Sequence, residues 1–160
     1  MGVFRCGLKL TPQGAHANRG TQLFGECGSY LSPIPMEPLL LPATDKTPSV
    51  RFIPADGLLE IGGCSIHENA DKFFRPLLEQ VENYCLRPSK STIVRLSLTY
   101  FNSSSAKYVL DLLKLLDDVH GNGTGKVLLE WHYEEGDLDM LEAGQDYKGL
   151  LDMPVKLIES

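Results

Sequence analysis

No two cysteines in this chain stand at C-x-x-C spacing: Cys6, Cys27, Cys64 and Cys85 lie far apart, and His16, His67, His120 and His132 form no H-E-x-x-H. The ligand spacing of a structural zinc site or a zinc hydrolase is therefore missing, and scattered thiols suit a reduced, cytoplasmic setting better than a disulfide framework. Clusters of Lys or Arg are missing too. Fifteen basic against 21 acidic residues leave a net charge of −6, so a nucleic-acid backbone would meet no basic surface. No apolar run reaches the roughly 20 residues that cross a bilayer. Partners are expected among proteins or small molecules, with no nucleic acid, membrane, metal or cofactor involved. What is present is ordinary for a soluble domain. Of 160 residues, 42% are hydrophobic, enough for one domain with a buried core.

Residues 1–35 lack acids and periodicity alike. They hold one acidic residue, Glu26, among Gly, Pro and small polar residues, and neither a helical nor a strand period persists. The stretch reads as a disordered extension, or as a start-site artefact upstream of a natural start at Met36. A secretory signal would need a continuous apolar segment, and Cys6 stands where a myristoylation motif prefers Ser or Thr. The scarcity of acids leaves a transit peptide as the other reading.

From Met36 the pattern is regular. "SVRFIP" and "LLEIGG" are strands around the turn Ala55-Asp56-Gly57, a hairpin by composition. Ser65 and Glu68 have capping-box spacing, which predicts a helix with Phe73, Phe74, Leu77, Leu78, Val81, Tyr84 and Cys85 on one stripe and Pro76 bending it or marking its first turns. "TIVRLSLTYF" alternates, with Val94, Leu96, Leu98 and Tyr100 on one side. A second helix then carries Val109, Leu110, Leu112, Leu113, Leu116 and Val119 and stops at His120-Gly121-Asn122-Gly123. "KVLLEWHY" is a strand, Asp137 or a neighbour caps a third helix reaching about Asp152, and "PVKLIE" is the last strand. The order ββαβαβαβ predicts an α/β domain with a mixed sheet, its later strands parallel through right-handed crossovers. The loops "CSIHEN", "FNSSSAK" and "YEEGD" then gather at the carboxyl ends of the strands.

Each loop has a plain structural use beside a chemical one. The three serines Ser103, Ser104 and Ser105 lack the flanking glycines of a hydrolase elbow, and at least one is expected to cap the helix. "GNGTGK" leads into a strand and is a turn, not a phosphate loop. The acids of "EEGDLD" suit either a hard cation or the positive end of the next helix. His67 and His132 are each a structural histidine or a base near neutral pH.

Four longer blocks carry a resemblance. "MEPLLLPATDKTPSVRF", "GLLEIGGCSIHENADKFFRPL", "LTYFNSSSAKYVLDLL" and "VLLEWHYEEGDLDMLEAGQDY", in this order, resemble successive blocks of the SiaC family of bacterial regulatory phosphoproteins, over about residues 36–160. The resemblance implies a single small domain of the SpoIIAA/STAS-like kind, a mixed β-sheet packed with about three helices. It also implies a non-enzymatic, cytoplasmic switch in cyclic-di-GMP and biofilm signalling. A protein kinase and a PP2C-type phosphatase would set its state, and the unphosphorylated form would bind and control a diguanylate cyclase. By position the phosphoacceptor falls on Ser103, where the family commonly has threonine. Asn102, Ser104, Ser105 and Lys107 would support the loop, and Ser65, His67, Glu68, Asn69, Tyr100, Glu134 and Glu135 would border the partner. His67 stands where proline is usual, and Thr99 where glutamate is common, so the cyclase contacted need not be the same. The other readings of the loop are a small-molecule or nucleotide sensor and a hydrolase using Ser103.

Overall fold

The computed structural model describes residues 35–160; the extension expected upstream lies, apart from Pro35, outside the described residues. Along the chain come β1 (Leu39–Leu41), β2 (Ser49–Ile53), a 3-10 turn (Pro54–Asp56), β3 (Leu58–Ser65), α1 (Ala70–Cys85), β4 (Ser91–Phe101), α2 (Ser103–Gly121), β5 (Lys126–Tyr133), α3 (Leu138–Leu150) and β6 (Val155–Glu159). The expected order is present, preceded by one strand that the pattern does not announce. β1 has three residues and is followed by Pro42, too short a run for a period of two to register.

The six strands lie in sequence order in one sheet. β1, β2 and β3 are antiparallel, while β3, β4, β5 and β6 are parallel. Gly57 closes the β2–β3 connection with φ 63°, its N–H donating to the Pro54 carbonyl at 3.1 Å. A Cβ there would lie 2.3 Å from the Ser91 carbonyl oxygen, so both the backbone angle and the close approach of β4 require glycine.

Along most of β2, β3, β4 and β5 every second residue is buried, and the pairing puts these residues on one face. Val50 and Phe52, Leu59 and Ile61, Val94, Leu96 and Leu98, and Val127, Leu129 and Trp131 form a core with Phe74, Leu77, Val81 and Tyr84 of α1 and Val109, Leu112, Leu113 and Leu116 of α2. Consecutive right-handed crossovers to neighbouring strands keep all three helices on that face. Polar contacts lock the helices together. The Tyr147 hydroxyl donates to the Ala106 carbonyl, and Asp117 accepts the N–H groups of Asp152 and Met153. Pro76 falls on the exposed side of α1, where the Lys72 carbonyl that loses its donor can take water, and the helix runs through it. Cys85 is half-buried, donates to the Leu115 carbonyl, and burial pushes its thiol up to about 11. Such a thiol packs and does not react.

The opposite face carries a row of alternating charge. Arg51 opposes Glu60, Glu60 opposes Arg95, Arg95 opposes Glu130 and Glu130 opposes Lys156. Ion pairs of 2.9, 3.0 and 2.8 Å link the first four. For Glu60, burial alone would raise the carboxyl, but the hydrogen bonds and charge of Arg95 and Arg51 outweigh it, and the group sits below the usual carboxylate range. A lowered carboxylate stabilises the fold above its unfolded pKa, and that stabilisation is lost as pH falls through the folded value. Arg95→Met is therefore expected to lower urea stability near neutrality by under about 1 kcal/mol, because the pairs are solvent-screened. It should also flatten the loss of stability on acidification. Parallel pH dependence in the variant and the natural chain would contradict this.

Candidate functional site

The parallel strands bring their carboxyl ends, and so the three loops, to one edge of the sheet. β4 reaches this edge through an irregularity. Gly63 pairs with Leu98, but Cys64 pairs with Tyr100, leaving Thr99 as an extra residue. A bulge of this kind shifts the alternation by one. Tyr100, expected on the buried side with Val94, Leu96 and Leu98, is instead 58% exposed. Phe101 turns inward, its ring 6.2 Å from that of Trp131 and 6.4 Å from that of Tyr147. Threonine and tyrosine both suit a strand, so the bulge leaves no mark in the sequence.

Directly after Phe101 comes the serine run, and its division of labour differs from the expectation. Asn102 is the cap: its side-chain oxygen accepts from the Ser105 N–H at 2.8 Å, and α2 begins at Ser103. Neither Ser104 nor Ser105 caps the helix. Ser105 is fully buried and bonded to Ser65, whereas Ser103 and Ser104 are exposed. The first backbone N–H groups of a helix have no partner inside it, which leaves those of Ser103 and Ser104 free for an anion. Lys107 is exposed one turn along, at the i+4 position from Ser103 where side chains meet on one face.

Ser65 requires a second correction. It closes β3 at 1% exposure, its hydroxyl donating 2.8 Å to that of Ser105. It is neither a capping-box residue nor a surface that a partner can touch. α1 starts five residues later behind Asn69, whose side chain accepts from the Lys72 N–H at 3.1 Å. The strand outruns the motif because the Ser65 carbonyl is needed by the Asn102 N–H at 3.0 Å. His67 then shapes the loop, its Nδ1 accepting the Asn69 N–H at 3.0 Å.

Two grooves flank the start of α2. One, of about 260 Å³, lies between the N-terminal ends of α1 and α2 and is lined by Glu68, Asn69, Asp71, Ser104, Lys107 and Tyr108. Hydrogen bonds from Arg75 and then from the Tyr108 hydroxyl, at 2.9 Å, hold the Asp71 carboxyl below its ordinary range. The Tyr108 ring stacks on Phe74 at 5.7 Å. The other groove, of about 440 Å³, is mostly apolar and lies between α2 and α3, with Phe101, Leu110, Ala143, Tyr147 and Leu150 among its lining. Beside it a smaller pocket, of about 300 Å³, is lined by Tyr100, Phe101, Asp137, Asp139 and Ala143 among others.

Of the residues expected at a partner surface, Glu68, Asn69 and Tyr100 thus border the same edge as Ser103, and Glu134 and Glu135 are exposed on the next loop. The acids in the groove beside Tyr100 are Asp137, which caps α3 by accepting from the Met140 N–H, and Asp139. The sequence offers Asp137 as a cap for α3 or, with the other acids of "EEGDLD", as a ligand for a hard cation, and not as part of a partner surface. Among the described residues no group of three or more His, Cys, Asp or Glu comes together to hold a metal ion, and no helix is long and apolar enough to cross a membrane.

Comparisons with known proteins agree on one family. A model described as "SiaC family regulatory phosphoprotein" matches residues 41–160. An uncharacterised protein of Pseudomonas aeruginosa (strain UCBPP-PA14) is 30% identical over 113 residues, covering 71% of this chain and 89% of its own. The crystal structure of apo-SiaC from Pseudomonas aeruginosa is similar at 28% identity and a TM-score of 0.71, covering 77% of this chain and 99% of that one. A chain in the crystal structure of the diguanylate cyclase SiaD in complex with its activator SiaC, from the same organism, is 28% identical with a TM-score of 0.72, covering 76% of this chain and 99% of that one.

Proposed function

The chain belongs to the SiaC family of regulatory phosphoproteins, and we propose that Ser103 is its phosphoacceptor and that the unphosphorylated form binds and controls a diguanylate cyclase. The observation that carries the reading is the placing of Ser103. It is exposed on the first turn of α2, at the edge where the parallel strands end, with Lys107 one turn along. A phosphate there would bring about −1.5 to −2 charges and three acceptor oxygens to a helix end whose N–H donors are free. Ser103 is exposed and takes no part in the core, so the modification changes the surface and leaves the packing alone. A protein kinase adds the phosphate and a PP2C-type phosphatase removes it. The cyclase partner rests on the complex of SiaD with its activator SiaC. The chain itself acts by binding and not by catalysis, a reading supported by its membership of a family of regulatory phosphoproteins. Residues 36–160 form the regulatory domain, in a cytoplasmic setting.

The test is phosphosite mapping by tandem mass spectrometry of the full chain produced in its native host. Phosphate is expected on Ser103, absent in Ser103→Ala and removed by a purified PP2C-type phosphatase. An unphosphorylated chain, or phosphate mapped to another residue and retained in Ser103→Ala, would overturn the assignment.

A further inference from the structure

Four residues in a row, Asn102, Ser103, Ser104 and Ser105, are all good helix caps. Local preference therefore does not fix where α2 begins. The point matters because a capping side chain turns its oxygen onto a backbone N–H two or three residues on. If Ser103 were the cap, its hydroxyl would be occupied.

What decides the start is a contact made across the sheet edge. The Ser65 carbonyl accepts both the Asn102 N–H, at 3.0 Å, and the Ser105 hydroxyl, at 3.2 Å. The Ser65 hydroxyl donates to that of Ser105 at 2.8 Å. The segment 102–105 is thus tied at both its ends to the last residue of β3, with both hydroxyls buried. Under that constraint Asn102 takes the cap, accepting the Ser105 N–H on its side chain and the Ala106 N–H on its carbonyl at 2.9 Å. Ser103 is left outside the network.

We infer that the buried Ser65–Ser105 pair selects which serine is modified, by committing the cap to Asn102 and so keeping the Ser103 hydroxyl free. Both act as positioning residues, at one remove from the phosphate. The inference rests on the proposal that Ser103 is the phosphoacceptor. Without the clamp the first turn frays, Ser103 competes for the cap, and phosphate spreads to Ser104.

The test separates this role from mere stability. Ser105→Ala strands the Ser65 hydroxyl, whereas in Ser65→Ala the Ser105 hydroxyl keeps the Ser65 carbonyl, and removing both leaves no unpaired hydroxyl. Ser105→Ala is expected to lower the melting temperature most, and Ser65→Ala and the double variant to melt closer to the natural chain. Site occupancy should follow a different order. In Ser105→Ala and the double variant, made as full chains in the native host and mapped by tandem mass spectrometry, the ratio of phosphate on Ser103 to that on Ser104 falls about fivefold or more. If the natural chain carries phosphate on Ser103 and the double variant melts normally with an unchanged ratio, the selecting role is refuted while the phosphoacceptor stands. If the natural chain carries its phosphate elsewhere, the phosphoacceptor assignment itself fails.

Discussion

Ser103→Asp is expected to bind the proposed cyclase partner about a hundredfold more weakly than the natural chain, while Ser103→Ala binds as tightly as the natural chain does. The expectation comes from the ground around Ser103. Its two flanking grooves are already rimmed by Glu68, Asp71 and Asp146, and the pocket beside Tyr100 by Asp137 and Asp139, with Lys107 the cation at the start of α2. A docked partner must match that pattern and cover the exposed Tyr100 ring beside it. One further negative charge, taken out of water against a surface matched to a neutral serine, is a like-charge clash of several kcal/mol at most, and a hundredfold is about 2.7 kcal/mol. Phosphate, with up to twice the charge and more bulk, should act more strongly still. Titration calorimetry with a purified diguanylate cyclase of the native host measures all three forms. The deficit of Ser103→Asp should shrink as salt is raised, because exposed charges are screened within about 10 Å at 0.1 M. Equal affinity of the three forms would sink the charge mechanism. A deficit indifferent to salt would assign it to bulk instead.

Much of this architecture is legible before any coordinates, and the parts that are not share one cause. Helix faces follow from spacing alone. Phe74, Leu77, Val81 and Tyr84 recur at three and four, and all are buried. The parallel order of β3, β4 and β5 follows from helices too long to be hairpin turns. What escapes is anything set by a contact between distant segments. Ser65 satisfies a capping box in the sequence, yet its carbonyl is claimed by Asn102, so the strand continues past the motif. Tyr100 continues a perfect alternation, yet the pairing slips one residue against β3 and turns it out. The three serines look interchangeable, yet a hydroxyl forty residues away buries one and leaves two exposed. Of the candidate site, position survived best. Ser103, Lys107, Glu68, Asn69 and Tyr100 share an edge because strand direction put their loops there, and roles that depend on local hydrogen bonding were the ones revised.

Gly144→Ala is expected to destabilise the domain by about 3 kcal/mol, and here two arguments point in opposite directions. Gly144 lies within α3, where alanine is favoured over glycine by about 1 kcal/mol, so propensity alone predicts a more stable variant. Packing predicts the reverse. A Cβ at this position would lie 2.6 Å from Trp131 Cδ1, 2.7 Å from Leu157 Cδ2 and 2.8 Å from Trp131 Nε1. The indole cannot yield, being fully buried, hydrogen-bonded through Nε1 to the Met140 carbonyl at 2.8 Å and held between Phe101 and Tyr147. The helix must therefore lift from the sheet, and forced separation of a packed core outweighs the gain in propensity. A loss of this size corresponds to a melting temperature lower by roughly 10 °C for a domain of this length. Trp131 is the only tryptophan, so its fluorescence reports the docking of α3 without a label and should shift to the red in the variant. A melting temperature equal to or above that of the natural chain would show that α3 adjusts more easily than this geometry allows. The same displacement moves Ala143 and Tyr147, which line the apolar groove beside Ser103. Binding to the proposed cyclase partner should therefore weaken in Gly144→Ala together with the spectral shift, and without the salt dependence expected of Ser103→Asp.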